Sequence, residues 1–71
     1  MKNYRINKNT WHNPNDNHEV HNETCSKYNK LEWFETLGRF QTCQEAIAEA
    51  RRKKYTKVDG CKECCPSCHN A

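Results

Sequence analysis

Asp59-Gly-Cys-Lys-Glu-Cys-Cys-Pro-Ser-Cys-His-Asn-Ala71 (DGCKECCPSCHNA) holds four of the chain's six cysteines in eight residues. The stretch contains two overlapping pairs, Cys61-x-x-Cys64 and Cys65-x-x-Cys68. Two thiolates three residues apart around a tight turn can grip one tetrahedral zinc ion, and such a pair is half of a site. The other half has to come from upstream. His21-Asn-Glu-Thr-Cys25 offers a nitrogen and a sulfur four residues apart, at the end of an expected strand. The reading is therefore a closed, structural Cys3His site made of His21, Cys25, Cys61 and Cys64. One zinc per chain is expected, and its affinity adds to fold stability.

The remaining thiols leave alternatives open. Cys65, Cys68 and His69 are alternate ligands, with Cys68 able to replace His21. A second zinc on Cys65, Cys68, His69 and His18 is also open. Cys43 reads as a small buried hydrophobe on a helix stripe, and His12 and His18 as solvated histidines.

Working outward, the body of the chain explains why a staple is needed. Seventy-one residues make one domain, 1–71, and 34% are hydrophobic. A chain this short hides only about 60% of its unfolded surface. Leu31, Leu37, Ile6, Ile47, Val20 and Val58 are all its large aliphatics. The aromatics, Trp11 and Trp33 among them, are expected to carry much of the core. Such a core is too thin to hold alone.

"TCQEAIAEARRKKY", residues 42–55, predicts the helix. Thr42 and Glu45 form a capping box. Cys43, Ala46, Ile47, Ala50 and Lys54 fall on one side at helical spacing, with Lys54 snorkelling. Acids sit early and bases late, matching the helix dipole. "TWHNPNDNHEVH", residues 10–21, reads as strand, turn, strand, with the turn at Pro14–Asn17 and with Trp11 and Val20 inward. "LEWFETLGRF" predicts a further strand over 32–37. Residues 1–8 read as a third strand or a frayed tail. The fold class is small α+β: strands and turns over 9–40, a helix over 42–55 and a cysteine knuckle over 59–69.

Several function classes can be weighed from the same residues. The polar N-terminus lacks an apolar core segment, so it does not read as a signal peptide, and no stretch is long enough to span a membrane. The expectation is a cytoplasmic chain with reduced thiols, where close-set cysteines signal metal; an exported, disulfide-stapled domain is the rival. Cys65-Pro-Ser-Cys68 resembles a thiol-redox motif, but no helix follows to lower a thiolate pKa. Arg51, Arg52, Lys53, Lys54, Tyr55 and Lys57 make a candidate nucleic-acid patch. A net charge of only +3 makes binding there weak, and a protein partner is the other option. No nucleophile–base–orienter pattern is present, so an enzyme is not the reading.

His-x-x-x-Cys, an aromatic strand, a (T/S)-x-x-E-A helix start and Cys-x-x-Cys together resemble the small zinc module of Ada-type DNA-repair methyltransferases and related modules attached to nucleases. The matching residues are His21, Cys25, Phe40, Glu45-Ala46, Cys61 and Cys64. The Ada module uses four cysteines, and the His-first order resembles the related modules. The longer helix and the doubled Cys64-Cys65 depart from the pattern. The string EVH…C…DGCxxCCxxCH is also similar to short, stand-alone bacterial proteins of unassigned function. The resemblance covers residues 18–69 and implies a zinc-stabilised binding or adaptor module. In the Ada module a zinc-bound cysteine takes a methyl group from a DNA phosphotriester; Cys25, or His21, is the positional analogue here.

Overall fold

The computed structural model describes residues 1–10 and 17–69. Four strands form one sheet: β1 (Lys2–Asn7), β2 (His18–Asn22), β3 (Phe34–Phe40) and β4 (Val58–Gly60), with one helix, α1 (Cys43–Arg52), between β3 and β4. The strand order is β3-β1-β2-β4. β1 lies antiparallel to β2 and β3, and β2 runs parallel to β4. The fold is small α+β.

β1 is interior to the sheet, so the N-terminus is a strand and not a frayed tail. Its alternation explains the placement. Tyr4 and Ile6 are buried, while Asn3, Arg5 and Asn7 are only partly so. Successive side chains on a strand point to opposite faces. Tyr4, Ile6, Val20 and Leu37 therefore make one apolar face, and Cys43, Ala46, Ile47 and Ala50 of α1 join them in a single cluster. Small alanines at the contact let the helix lie close to the sheet. On the other face Arg5 is clamped between two rings, its guanidinium carbon 4.0 Å from the Tyr28 centroid and 4.1 Å from that of Phe34. Its Nη1 donates to the Tyr28 carbonyl at 2.9 Å.

β3 runs over Phe34–Phe40, two to three residues later than the sequence suggests. Gly38 lies opposite Tyr4 and Thr36 opposite Arg5, so Leu37 is the extra residue of a bulge. Gly38 has φ of +122°, a conformation open to glycine. Trp33 just before the strand is 60% exposed, against the expectation that it fills the core. Of the expected hairpin, β2 is the second arm; Trp11, His12 and the Pro14–Asp16 part of the turn lie outside the described residues. β2 takes its hydrogen-bonded neighbours from β1 and β4.

α1 starts as the sequence reads. The Thr42 side chain accepts from the Glu45 amide, and Glu45 reaches back to the Thr42 amide. It ends earlier than residue 55. Lys53 is the C-cap, and Lys54 has φ of +79°. Lys54 is exposed and has left the helical stripe.

β4 then sends the chain into the knuckle. A Cβ added to Gly60 would fall 2.6 Å from Cys68 Cβ and 2.8 Å from the Cys65 carbonyl oxygen. The knuckle packs onto the strand only because nothing projects there. Gly60→Ala is expected to cost about 2–3 kcal/mol through overpacking, read as a fall in the chemical-denaturation midpoint at unchanged slope. An unchanged midpoint would mean that the knuckle yields freely.

Candidate metal centre

β2 ends at Asn22, and a tight loop returns Cys25 beneath His21. Asn22 shapes that loop. Its side-chain oxygen accepts from the Thr24 amide at 2.9 Å, and its backbone carbonyl accepts from the Cys25 amide at 3.0 Å. Its side-chain amide donates to the Cys64 carbonyl at 2.9 Å, linking the loop to the knuckle. The Cys61 amide donates to Val20 O at 3.1 Å, which sets Cys61 beside β2. The Cys65 amide donates to Cys61 O at 2.7 Å and closes the Cys61–Cys64 turn.

These connections bring His21, Cys25, Cys61 and Cys64 together. One donor atom from each lies within 4.8 Å of all the others. His21 Nδ1 is 3.9 Å from Cys25 Sγ and 3.9 Å from Cys64 Sγ. An ion with metal–sulfur bonds near 2.3 Å and a metal–nitrogen bond near 2.0 Å sets tetrahedral edges of about 3.6–3.8 Å. The donors are thus spaced for an ion between them. Their chemistry fits as well: three thiols and one imidazole form a set suited to a borderline-soft divalent ion. His21 and Cys61 are both 1% exposed.

The electrostatics point the same way. Burial lowers the His21 pKa to about 4, the nearby Lys27 ammonium adds to this, and Glu63 opposes it. The ring is therefore neutral near pH 7, as a ligand must be. Glu19 Oε1 lies 3.7 Å from His21 Nε2, on the side of the ring away from the thiols, where a carboxylate fixes ring orientation. Burial pushes the Cys64 thiol up, helped by the Cys25, Cys65 and Cys61 sulfurs around it. A divalent cation held by these residues would reverse that cost by favouring the thiolate forms.

The remaining sulfur and imidazole groups go elsewhere. Cys68 is joined to Cys43 in a disulfide, with Cα atoms 6.5 Å apart. Cys43 is thus half of a cross-link between the start of α1 and the knuckle, where the sequence suggested a simple buried hydrophobe; Cys68 is not free to replace His21. His69 Nδ1 faces Gly60 O at 3.1 Å and Asp59 Oδ2 at 3.2 Å. His18 Nδ1 faces Asn7 O at 2.9 Å, and its ring lies edge-on to Tyr55. Cys65 is a buried free thiol 3.9 Å from Cys64 Sγ. The second-zinc set of Cys65, Cys68, His69 and His18 is therefore not assembled. Nor do Cys65 and Cys68 form a redox pair with each other, because Cys68 has another partner.

Two of the five bases at the helix end, Arg52 and Lys53, are engaged with acids. Arg52 holds Glu49 through two contacts, at 2.9 and 2.7 Å. Lys53 Nζ lies 3.2 Å from Glu35 and 3.9 Å from Glu49. The Tyr55 hydroxyl donates to Glu35 Oε1 at 2.6 Å. Burial and that bond push the Tyr55 phenol up to about 12. Tyr55 is a structural strut between the helix end and β3, and its ring packs on His18. Arg51, Lys54 and Lys57 are exposed around it.

Sequence reading missed Glu19, Asn22 and the Cys43–Cys68 bond. Glu19 is two residues from His21, a strand spacing that could have marked it as a same-face neighbour. Asn22 carries the local turn signal of an Asx motif. The disulfide has no such local signal. Among the described residues, no helix is long and apolar enough to cross a membrane. Comparison with known proteins gives no match: neither a family model, nor a curated protein, nor a solved structure is significantly similar to this chain.

Proposed function

We propose that this chain is a zinc-stapled binding or adaptor module, with one zinc held by His21, Cys25, Cys61 and Cys64. The observation that carries the reading is the set of four buried or half-buried donors whose ligand atoms all lie within 4.8 Å of one another. A zinc with four protein ligands keeps no position for water or substrate, so its work is structural. Three thiolates and a neutral imidazole around a divalent ion leave one net negative charge, and Lys27 lies close enough to His21 to offset part of it. The order of the two ligand pairs, one from a strand end and one from a terminal knuckle with a helix between, supports the resemblance to the Ada-type modules.

A cytoplasmic setting suits the tetrad, which needs three reduced cysteines to load. The Cys43–Cys68 bond argues the other way. Alkylation of thiols in freshly lysed cells separates the two.

Metal analysis tests the central reading. Protein purified without chelator is expected to carry close to one zinc per chain. Cobalt(II) exchanged into the site should give the intense visible bands of a tetrahedral thiolate complex, weakened in Cys25→Ser. A chain that holds no zinc, or that takes cobalt only in octahedral geometry, would overturn the proposal.

A further inference from the structure

Trp33 is the one large aromatic side chain that stands mostly in solvent among the described residues. It is not loosely placed. Its carbonyl accepts from the Lys8 amide at 2.9 Å, which prolongs the β1–β3 ladder by one step. Beside it lies a hollow of about 230 Å³, lined by Asn7, Asn9, Lys30, Leu31, Glu32 and Trp33. Lys8 Nζ sits 5.8 Å from the Trp33 ring centroid. The Asn9 amide donates to Asn7 Oδ1 at 2.9 Å, which holds Asn9 against the end of β1.

These groups have complementary chemistry. Trp33 offers an exposed π-face on a fixed backbone. Lys8 lies over one side of the ring and Lys30 lines the hollow. Neither makes a salt bridge with a described carboxylate, unlike Arg52 and Lys53 at the helix end. The Lys8 charge does reach Glu35, whose carboxyl pKa is lowered first by its Tyr55 and Lys53 hydrogen bonds and further by Lys8. Glu32 and Asn7 bring an acceptor and a side-chain amide to the wall of the same hollow. An aromatic platform beside cations is how single-stranded nucleic acid is held: a base stacks, and its phosphates meet the ammonium groups. A hollow of this size accommodates one planar base and excludes a duplex, whose bases are already stacked.

We propose that the Trp33 hollow is a stacking site for one unpaired nucleotide, with Trp33 under the base and Lys8 and Lys30 on its phosphates. The Glu32 carboxylate favours bases that present an amino edge, adenine, cytosine and guanine, over thymine or uracil. The site is independent of the metal centre and moves the nucleic-acid surface from the helix end to the β1–β3 side. Because every base has a π-face, the preference is modest. Two phosphate contacts on a single strand give a log–log salt slope of about −1.4.

The experiment is fluorescence anisotropy of end-labelled ten-nucleotide strands, dA10, dC10 and dT10, with their RNA equivalents and the free mononucleotides as further arms. Zinc-loaded protein is used at low salt. Expected are weak binding of dA10 and dC10, weaker binding of dT10, and a loss of about tenfold or more in Trp33→Ala. Trp33→Phe should restore most of it, and Lys30→Ala should lower the slope by about 0.7. Arg51→Glu should leave binding within twofold. Trp33 is exposed, so the melting temperature of Trp33→Ala should match the wild type and rule out misfolding. Binding to strands but not to mononucleotides assigns the site to polymer, and equal per-nucleotide binding assigns it to free nucleotide. No binding of any arm, binding unchanged in Trp33→Ala, or a loss in Arg51→Glu as large as in Trp33→Ala would overturn the proposal.

Discussion

Cys61→Ser is expected to yield a chain that neither folds nor retains zinc at neutral pH. Cys61 is 1% exposed and joins β4 to the proposed ligand set. Structural zinc contributes on the order of 10 kcal/mol or more to modules of this size. A domain's whole stability is about 5–15 kcal/mol, and this chain lies at the low end for want of apolar area. Loss of one ligand therefore exceeds what the remaining core supplies. The effect must be distinguished from ordinary loss of a buried sulfur. Cys65 makes that comparison, since it is 2% exposed and packed in the same knuckle, yet lies outside the tetrad. Cys65→Ser should cost about 1–3 kcal/mol for a buried hydroxyl and still bind one equivalent of zinc. Metal content by mass spectrometry and a thermal melt for both variants decide the matter. A Cys61→Ser protein that melts cooperatively with one zinc bound would remove the tetrad from the account. Trp33 is a poor reporter of this unfolding because it is already exposed. The far-ultraviolet helix signal serves better.

The residues that were legible in sequence are those whose geometry is local. Thr42 and Glu45 are three apart and cap one helix end; nothing distant is needed to read them. The same holds for Cys61 and Cys64 around one turn, and for His21 and Cys25 around another. That these two pairs meet is a tertiary fact; six other cysteines and histidines, Cys43, Cys65, Cys68, His12, His18 and His69, competed for the same roles, and only the fold separates them. Where the reading went astray, a distant partner decided. Lys53 and Tyr55 look like helix and patch in one dimension, yet Glu35 from β3 engages both and the helix stops at Arg52. Residues 1–8 carry only two large apolar side chains suited to a core, Tyr4 and Ile6, so strand and tail read alike. Pairing on both sides turns that short alternation into an interior strand. Trp33 reads as core by type, but the bulge at Leu37 and Gly38 turns Leu37 inward and the ring one step before β3 remains outside.

The cross-link between Cys43 and Cys68 is expected to contribute about 3 kcal/mol without holding the metal. The bond closes a loop across a sequence separation of 25 residues. Loop-closure entropy for such a length gives about 3 kcal/mol, on a model in which the cross-link acts mainly on the unfolded chain. It ties the first residue of α1 to the knuckle, so it holds the helix against the β4 side of the sheet. The tetrad closes a different circuit, from β2 through Cys25 to Cys61 and Cys64. The two staples share the knuckle but no ligand. Cys43→Ala with Cys68→Ala should therefore lower stability by about 3 kcal/mol while zinc content stays near one per chain. Chelation of the intact protein should do the reverse, removing the fold while the bond persists. A thiol count on denatured, metal-free, unreduced protein should find four: Cys25, Cys61, Cys64 and Cys65. Six titratable thiols in protein isolated under alkylating conditions would show that the bond does not form there. Cys43 would then return to the role of a small buried side chain, and the helix would be held to the knuckle by packing on Ser67 and Cys68 alone. Loss of zinc in the double variant would show instead that the two staples are one cooperative unit, with the knuckle unable to present Cys61 and Cys64 unless α1 holds its far end.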